Sequence, residues 1–309
     1  MKKPISLLTL LFFLSVTACA QHAPNMTNDH HVASPSPAEA AETQEWAKAR
    51  LAKSPRHQEW VKIKNGAREV SSFVVYPESK KKSTAVVVIH EIFGMSDWVQ
   101  SLTDQLAEAG YIAIAPDLLS GMGPNGGGTS SLDRNQIGQK IRDLPADQIT
   151  GDLNAVVDYV SKLPASNGKV VVTGYCWGGS QSFAYATNNP NIKAAFVFYG
   201  SAPTTGPDGT IDKAALARIK APVYGFYAGN DARINATLPA TTEAMKELNK
   251  KFEPVTYDGA GHGFMRAGEA PEPTDTTAAD YQKQLDTWRL NRTARDEAWA
   301  RWKKLLAAI

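Results

Sequence analysis

The chain has 309 residues, 43% of them hydrophobic and 21% charged, which is enough apolar material for one large α/β domain or two smaller ones. Its 33 basic and 31 acidic residues leave a formal net charge of +2, matched by Lys2 and Lys3 at the very start, so nothing in the balance suggests a partner such as nucleic acid or an anionic membrane surface. The only two cysteines are Cys19 and Cys176, and with Cys19 in a leader the body carries no disulfide framework.

In chain order, Lys2 and Lys3 precede an apolar run from Ile5 to Val16 that is too short to span a bilayer comfortably, and small residues follow at Ala18-Cys19-Ala20. This reads as an export signal with two competing cleavage sites. Val16-Thr17-Ala18-Cys19 resembles a bacterial lipobox, which makes Cys19 a lipidated first residue, while Ala18-Cys19-Ala20 also fits an A-x-A peptidase site. The lipobox reading is the favoured one, so the expected location is the bacterial periplasm, with the chain lipid-anchored at the envelope through Cys19. Residues 20–35 are polar and turn-rich and read as a tether. Ser36-Pro37-Ala38-Glu39 supplies an N-cap, a proline at the first helical position and a reciprocal glutamate, so a helical extension over 36–56 should run to about Lys53, ahead of a single body over 57–309.

Trp60 to Lys64 and Glu69 to Tyr76 flank Asn65-Gly66 and predict an antiparallel hairpin. Thr84 to Ile89 is a continuous apolar run, as expected of a buried parallel strand, and it ends in His90-Glu91-Ile92-Phe93-Gly94. A helix over Asp97 to Ala109 and a strand over Tyr111 to Ala115 follow. The glycine-rich stretch from Leu118 to Leu132 has neither the strand nor the closing Gly-Lys-Ser/Thr of a phosphate cradle and is expected to be a mobile loop. A helix over Asp147 to Leu163, strands at Lys169 to Thr173, Ala194 to Tyr199, Pro222 to Ala228 and Glu253 to Asp258, and a helix over Leu238 to Lys250 complete an alternating pattern. That alternation predicts a mostly parallel, doubly wound sheet with helices on both faces, closed by an apolar-striped helix within Asp280 to Ile309.

The stretch Gly174-Tyr175-Cys176-Trp177-Gly178-Gly179 lies between the Lys169 strand and a helix-forming segment. Strand, tight turn and helix is the context in which G-x-S-x-G presents a nucleophile on an α/β-hydrolase sheet, with cysteine here in place of serine. A buried inert thiol needs no such glycines, whereas a nucleophile in a strained turn at a helix start does. Downstream come Asp231, just past one predicted strand, and His262, in a glycine-rich loop just past the last one. Nucleophile, acid, histidine is the triad order of that fold. Asp258 is a weaker rival for the acid.

These motifs, His90-Glu91-Ile92-Phe93-Gly94, Gly174 to Gly179 with Cys176 at its centre, and Gly261-His262-Gly263-Phe264 with Asp231 before it, together resemble the dienelactone hydrolase family over about Val70 to Arg266. The resemblance implies an α/β-hydrolase fold and a cysteine-dependent hydrolase of a small ester or lactone, with an acyl-thioester intermediate and no metal or organic cofactor. It implies that Glu91 takes the thiol proton when substrate binds, and that Arg266, four residues after His262, binds a substrate carboxylate. Arg134 and Arg142 both lie where a second such arginine would fall. The oxyanion donors expected are the backbone N–H groups of Ile92 and Trp177. A monomer acting on a small, possibly anionic ester is the expectation; other esters of the same chemistry, or a non-catalytic envelope binding role on this fold, are the alternatives.

Overall fold

The computed structural model describes residues 44–206 and 208–309. Cys19, the tether and the Ser36 cap lie outside them, and the described part of the extension is α1 (Glu45–Lys53). Next, β1 (Gln58–Asn65) and β2 (Arg68–Val75) pair antiparallel with Asn65 opposite Arg68, and Gly66 makes the turn at a φ of 60°. The alternating body then runs β3 (Ser83–Ile89), α2 (Asp97–Glu108), β4 (Ile112–Pro116), α3 (Arg134–Arg142), α4 (Ala146–Ser161), β5 (Ser166–Tyr175) and α5 (Trp177–Asn188). It continues through β6 (Ala195–Phe198), α6 (Lys213–Ala217), β7 (Val223–Ala228), α7 (Ala232–Asn235), α8 (Leu238–Glu247), β8 (Phe252–Tyr257) and α9 (Tyr281–Ala307).

Among the described residues the strands form one eight-stranded sheet in the order β1-β2-β4-β3-β5-β6-β7-β8. Every neighbouring pair from β4 to β8 is parallel, and β2 is antiparallel to both β1 and β4. Alternate strand residues feed opposite cores. Val87, Ile89, Val172 and Val197 meet Leu153, Val156 and Phe183 on one side, while Val86, Val88, Val171 and Phe198 meet Trp98, Leu102 and Trp302 on the other. Covering both faces is what makes these strands unbroken apolar runs in the sequence.

The closing helix is one continuous element. It buries Leu285, Ala294, Ala298, Trp302 and Leu306, and sets the Trp302 ring edge-on to Phe198 at 5.1 Å. Arg301 fastens it to the sheet edge by donating to the carbonyls of Gly225 and Glu253 at 3.0 and 2.9 Å.

Two segments differ from expectation. Helix α3, capped by Asp133, was not anticipated; it buries little beyond Ile137 and Ile141, too short a stripe to stand out from its polar neighbours. The glycine-rich stretch is not an open loop either. Asp117 accepts from the N–H and hydroxyl of Thr129, each at 2.7 Å, and from the N–H of Leu119 at 3.0 Å, so the segment folds back in short 3-10 turns at Pro124–Gly126 and Thr129–Ser131.

Candidate functional site

The parallel strands deliver their C-terminal loops to one edge of the sheet, where ligands bind in open α/β folds. β5 leads directly into Cys176, which is buried and holds a φ of 55° and a ψ of −119°, a conformation that residues with a side chain seldom adopt. The surrounding glycines make it attainable: a Cβ on Gly174 would strike the carbonyl of Gly178, one on Gly178 the carbonyl of His90, and one on Gly179 the carbonyl of Phe198. The turn is therefore locked by backbone packing against β3 and β6, with Cys176 at the N-terminus of α5.

Asp231 and His262 come from the loops after β7 and β8. Asn230 staples the two loops together, its N–H donating to the carbonyl of Ala260 and its side-chain amide to that of Gly259, both at 2.9 Å. His262 Nδ1 then lies 2.5 Å from Asp231 Oδ2, while Asp231 Oδ1 caps α7 through the N–H of Ile234. Asp258 is exposed, and the carboxylate that His262 meets is Asp231. Burial works against a charge on the imidazole, but the hydrogen bond it donates to Asp231, interaction with the Cys176 sulfur and the charges of both raise the His262 pKa to about 9. For Asp231, burial is likewise outweighed by His262, which holds the carboxyl below the ordinary aspartate value. The structure thus brings the three predicted triad residues together.

Glu91 and Arg266 form a second group. Glu91 is 1% exposed, and its Oε2 lies 3.3 Å from Nε of Arg266, which stands on a short 3-10 turn, Phe264–Gly268, just after His262. The guanidinium also sits over the Phe93 ring at 5.4 Å from its centre. Tyr199, not singled out in the sequence, lies between the two groups. It is fully buried at a φ of 40°, with its ring edge-on to His262 at 4.9 Å and its hydroxyl unmatched by any hydrogen-bond partner among the described residues. Burial first, and then the charge of Glu91, push that hydroxyl well above its usual pKa. One signal for it existed, a tyrosine at the end of a predicted strand. Arg134 and Arg142 begin and end α3, whose Gly138 faces the Ile92 side chain closely enough that an added Cβ would sit 3.6 Å from Cγ1.

The loop after β3 carries the remaining expected groups. The Glu91 carbonyl accepts from Nδ1 of His90 at 2.9 Å and from the N–H of Gly94 at 3.1 Å, while Met95 N–H donates to the Thr129 hydroxyl at 3.2 Å. Among the described residues, the N–H groups of Ile92 and Trp177 donate to no backbone or side-chain acceptor. Nor does any cluster of three or more His, Cys, Asp and Glu among those residues have the makings of a metal site.

The chain matches the model of the dienelactone hydrolase family over residues 70–309. It is 31% identical over 236 residues to a protein of Methylorubrum extorquens named "Putative carboxymethylenebutenolidase", an alignment covering 74% of this chain and 79% of that one. A Salmonella typhi protein of the same name is 32% identical over 66% of this chain and 75% of its own length. Among solved structures, a dienelactone hydrolase-like promiscuous phosphotriesterase from metagenomic libraries superposes with a TM-score of 0.63 at 20% identity, over 82% of this chain and 98% of that one, a likeness of fold. With the α/β-hydrolase fold and these relatives in view, the chain belongs to the dienelactone hydrolase family and is a hydrolase of the ester or lactone type.

Proposed function

We propose that the chain hydrolyses a small ester or lactone through a Cys176 thiolate, with His262 oriented by Asp231 and an acyl-thioester as intermediate. The observation that carries this reading is the 2.5 Å contact between His262 Nδ1 and Asp231 Oδ2, on a ring that also interacts with the Cys176 sulfur. In the first half-reaction the sulfur attacks the carbonyl carbon, the carbonyl oxygen takes up negative charge beside the N–H groups of Ile92 and Trp177, and the C–O bond to the leaving oxygen breaks. As that bond breaks, protonated His262 gives its proton to the leaving oxygen; in the second half-reaction the now neutral imidazole takes a proton from water as it attacks the thioester, releasing the acid and the thiolate.

Glu91 supplies the route for the thiol proton. Glu91 is the acceptor assigned to that proton, which leaves His262 for the leaving oxygen and for water. Glu91 is buried against Arg266, and a substrate carboxylate competing for that guanidinium would release Glu91 to take the proton. An anionic ester or lactone is therefore the substrate class favoured here, in keeping with the lactone-cleaving name of the relatives. The leader motif, which lies outside the described residues, supports export to the periplasm with lipid anchoring at Cys19.

The test is turnover of a p-nitrophenyl ester and of a small lactone by the wild type and by Cys176→Ala. Loss of at least about a thousandfold in kcat is expected from removing the nucleophile. Turnover that survives the substitution removes Cys176 from the reaction.

A further inference from the structure

We propose that His90 is a positioning residue that sets both donors of the oxyanion hole; the inference rests on the assignment of Ile92 and Trp177 as those donors. His90 is fully buried and touches both halves of the hole. Its Nδ1 lies 2.9 Å from the Glu91 carbonyl oxygen, and its ring stacks on that of Trp177 at 5.6 Å and 17°. Carbonyl oxygens only accept, so Nδ1 carries the proton. On the other side, the backbone N–H of Leu118 points at Nε2 from 3.3 Å, and an N–H only donates, so Nε2 is the bare nitrogen. The two partners select one neutral tautomer and one ring orientation.

That orientation matters because the Glu91 carbonyl and the Ile92 N–H belong to one peptide unit. The described chain contains no cis peptide, so the two groups point in opposite directions across the plane. Holding the oxygen with His90 on one bond and Gly94 N–H on another aims the Ile92 N–H away from them. The Leu118 end is anchored in turn: its carbonyl accepts from Nη2 of Arg68 at 2.9 Å, and Nε of Arg68 lies 2.9 Å from Oδ2 of the buried Asp152. The imidazole is thus braced from the strand hairpin and α4, and transmits that bracing to the oxyanion loop and to the residue after the nucleophile.

The experiment compares two reactions of the same sulfur in the wild type, His90→Phe and His90→Asn. Butanal forms a thiohemiacetal with Cys176: an S–C bond forms and the carbonyl oxygen gains charge, then a proton, where the hole would hold it. Iodoacetamide alkylates Cys176 by displacing iodide and develops no oxyanion. Phe retains a ring against Trp177 but neither nitrogen contact, whereas the Asn amide can stand where Nδ1 stands.

With p-nitrophenyl acetate, His90→Phe is expected to lose about 10- to 100-fold in kcat with KM within about threefold, and to lose a similar factor in butanal affinity. Alkylation by iodoacetamide should stay within about twofold, and His90→Asn should recover to within about tenfold of wild-type kcat. Because the readout is the ratio of the two reactions on one thiol, a variant with a lowered melting temperature still decides the matter. If His90→Phe is insoluble, His90→Leu carries the test through the same ratio, since it too removes both nitrogen contacts and alkylation develops no oxyanion.

Butanal affinity and kcat unchanged in His90→Phe or His90→Leu, or falling in step with alkylation, overturns the role of His90 alone. A wild type without Cys176-dependent turnover overturns the underlying assignment and His90 with it.

Discussion

The turn after β5 and the loop after β3 end at the same sheet edge, yet they are held in opposite ways. The β5 turn is fixed by exclusion. Three glycines allow backbone to lie against backbone at Gly174, Gly178 and Gly179, and the strained Cys176 has nowhere else to go. The β3 loop is fixed by attachment: His90 donates to the Glu91 carbonyl, Thr129 accepts from Met95 N–H, and behind Thr129 the Asp117 carboxylate accepts from its hydroxyl. Steric exclusion of this kind tolerates almost no change at the residue concerned, while a set of hydrogen bonds loses strength one member at a time.

Gly178→Ala should therefore have the largest effect. The added methyl would meet the carbonyls of both Ile89 and His90, so either the nucleophile turn or the β3 loop has to move. A loss of at least about a hundredfold in kcat/KM is expected, since small misplacements of reacting groups cost that much. Thermal denaturation should reveal a destabilisation of about 1–3 kcal/mol from the forced overpacking. Near-wild-type kinetics would break the contrast between the two regions.

Thr129→Val should be milder. It keeps the shape but removes the hydroxyl that accepts from Met95 and donates to Asp117, leaving the Thr129 N–H and Leu119 N–H contacts to Asp117 in place. Leaving a buried donor unmatched costs about 1–3 kcal/mol, to be read from chemical denaturation, and a fall of about three- to tenfold in kcat should accompany it. An effect on activity as large as that of Gly178→Ala would erase the distinction.

The same contrast explains what the sequence disclosed. Backbone exclusion demands glycine at fixed offsets from Cys176, and that requirement is written locally, as is the order Cys176, Asp231, His262 at the ends of β5, β7 and β8. The parallel strands were equally legible, since burial on both faces produces runs such as Thr84 to Ile89. Attachment leaves no such trace. Nothing near Asp117 announces that Thr129 closes upon it, so the intervening glycines looked like a mobile loop. His90 likewise reads as one more histidine until Leu118 and Glu91 are seen on either side of its ring. Glu91 and Arg266 were found by resemblance and not by pattern, and the ion pair that joins them spans 175 positions, as their numbers show.

The most direct measurement is the intact mass of the protein quenched during turnover of a slowly hydrolysed p-nitrophenyl ester, followed by peptide mapping. The expected result is one acyl group on the Cys176 peptide, accumulating in the wild type, persisting longer in His262→Ala and absent from Cys176→Ala. Steady turnover with the acyl group on a different residue, or with Cys176→Ala as active as the wild type, would contradict the thiolate mechanism.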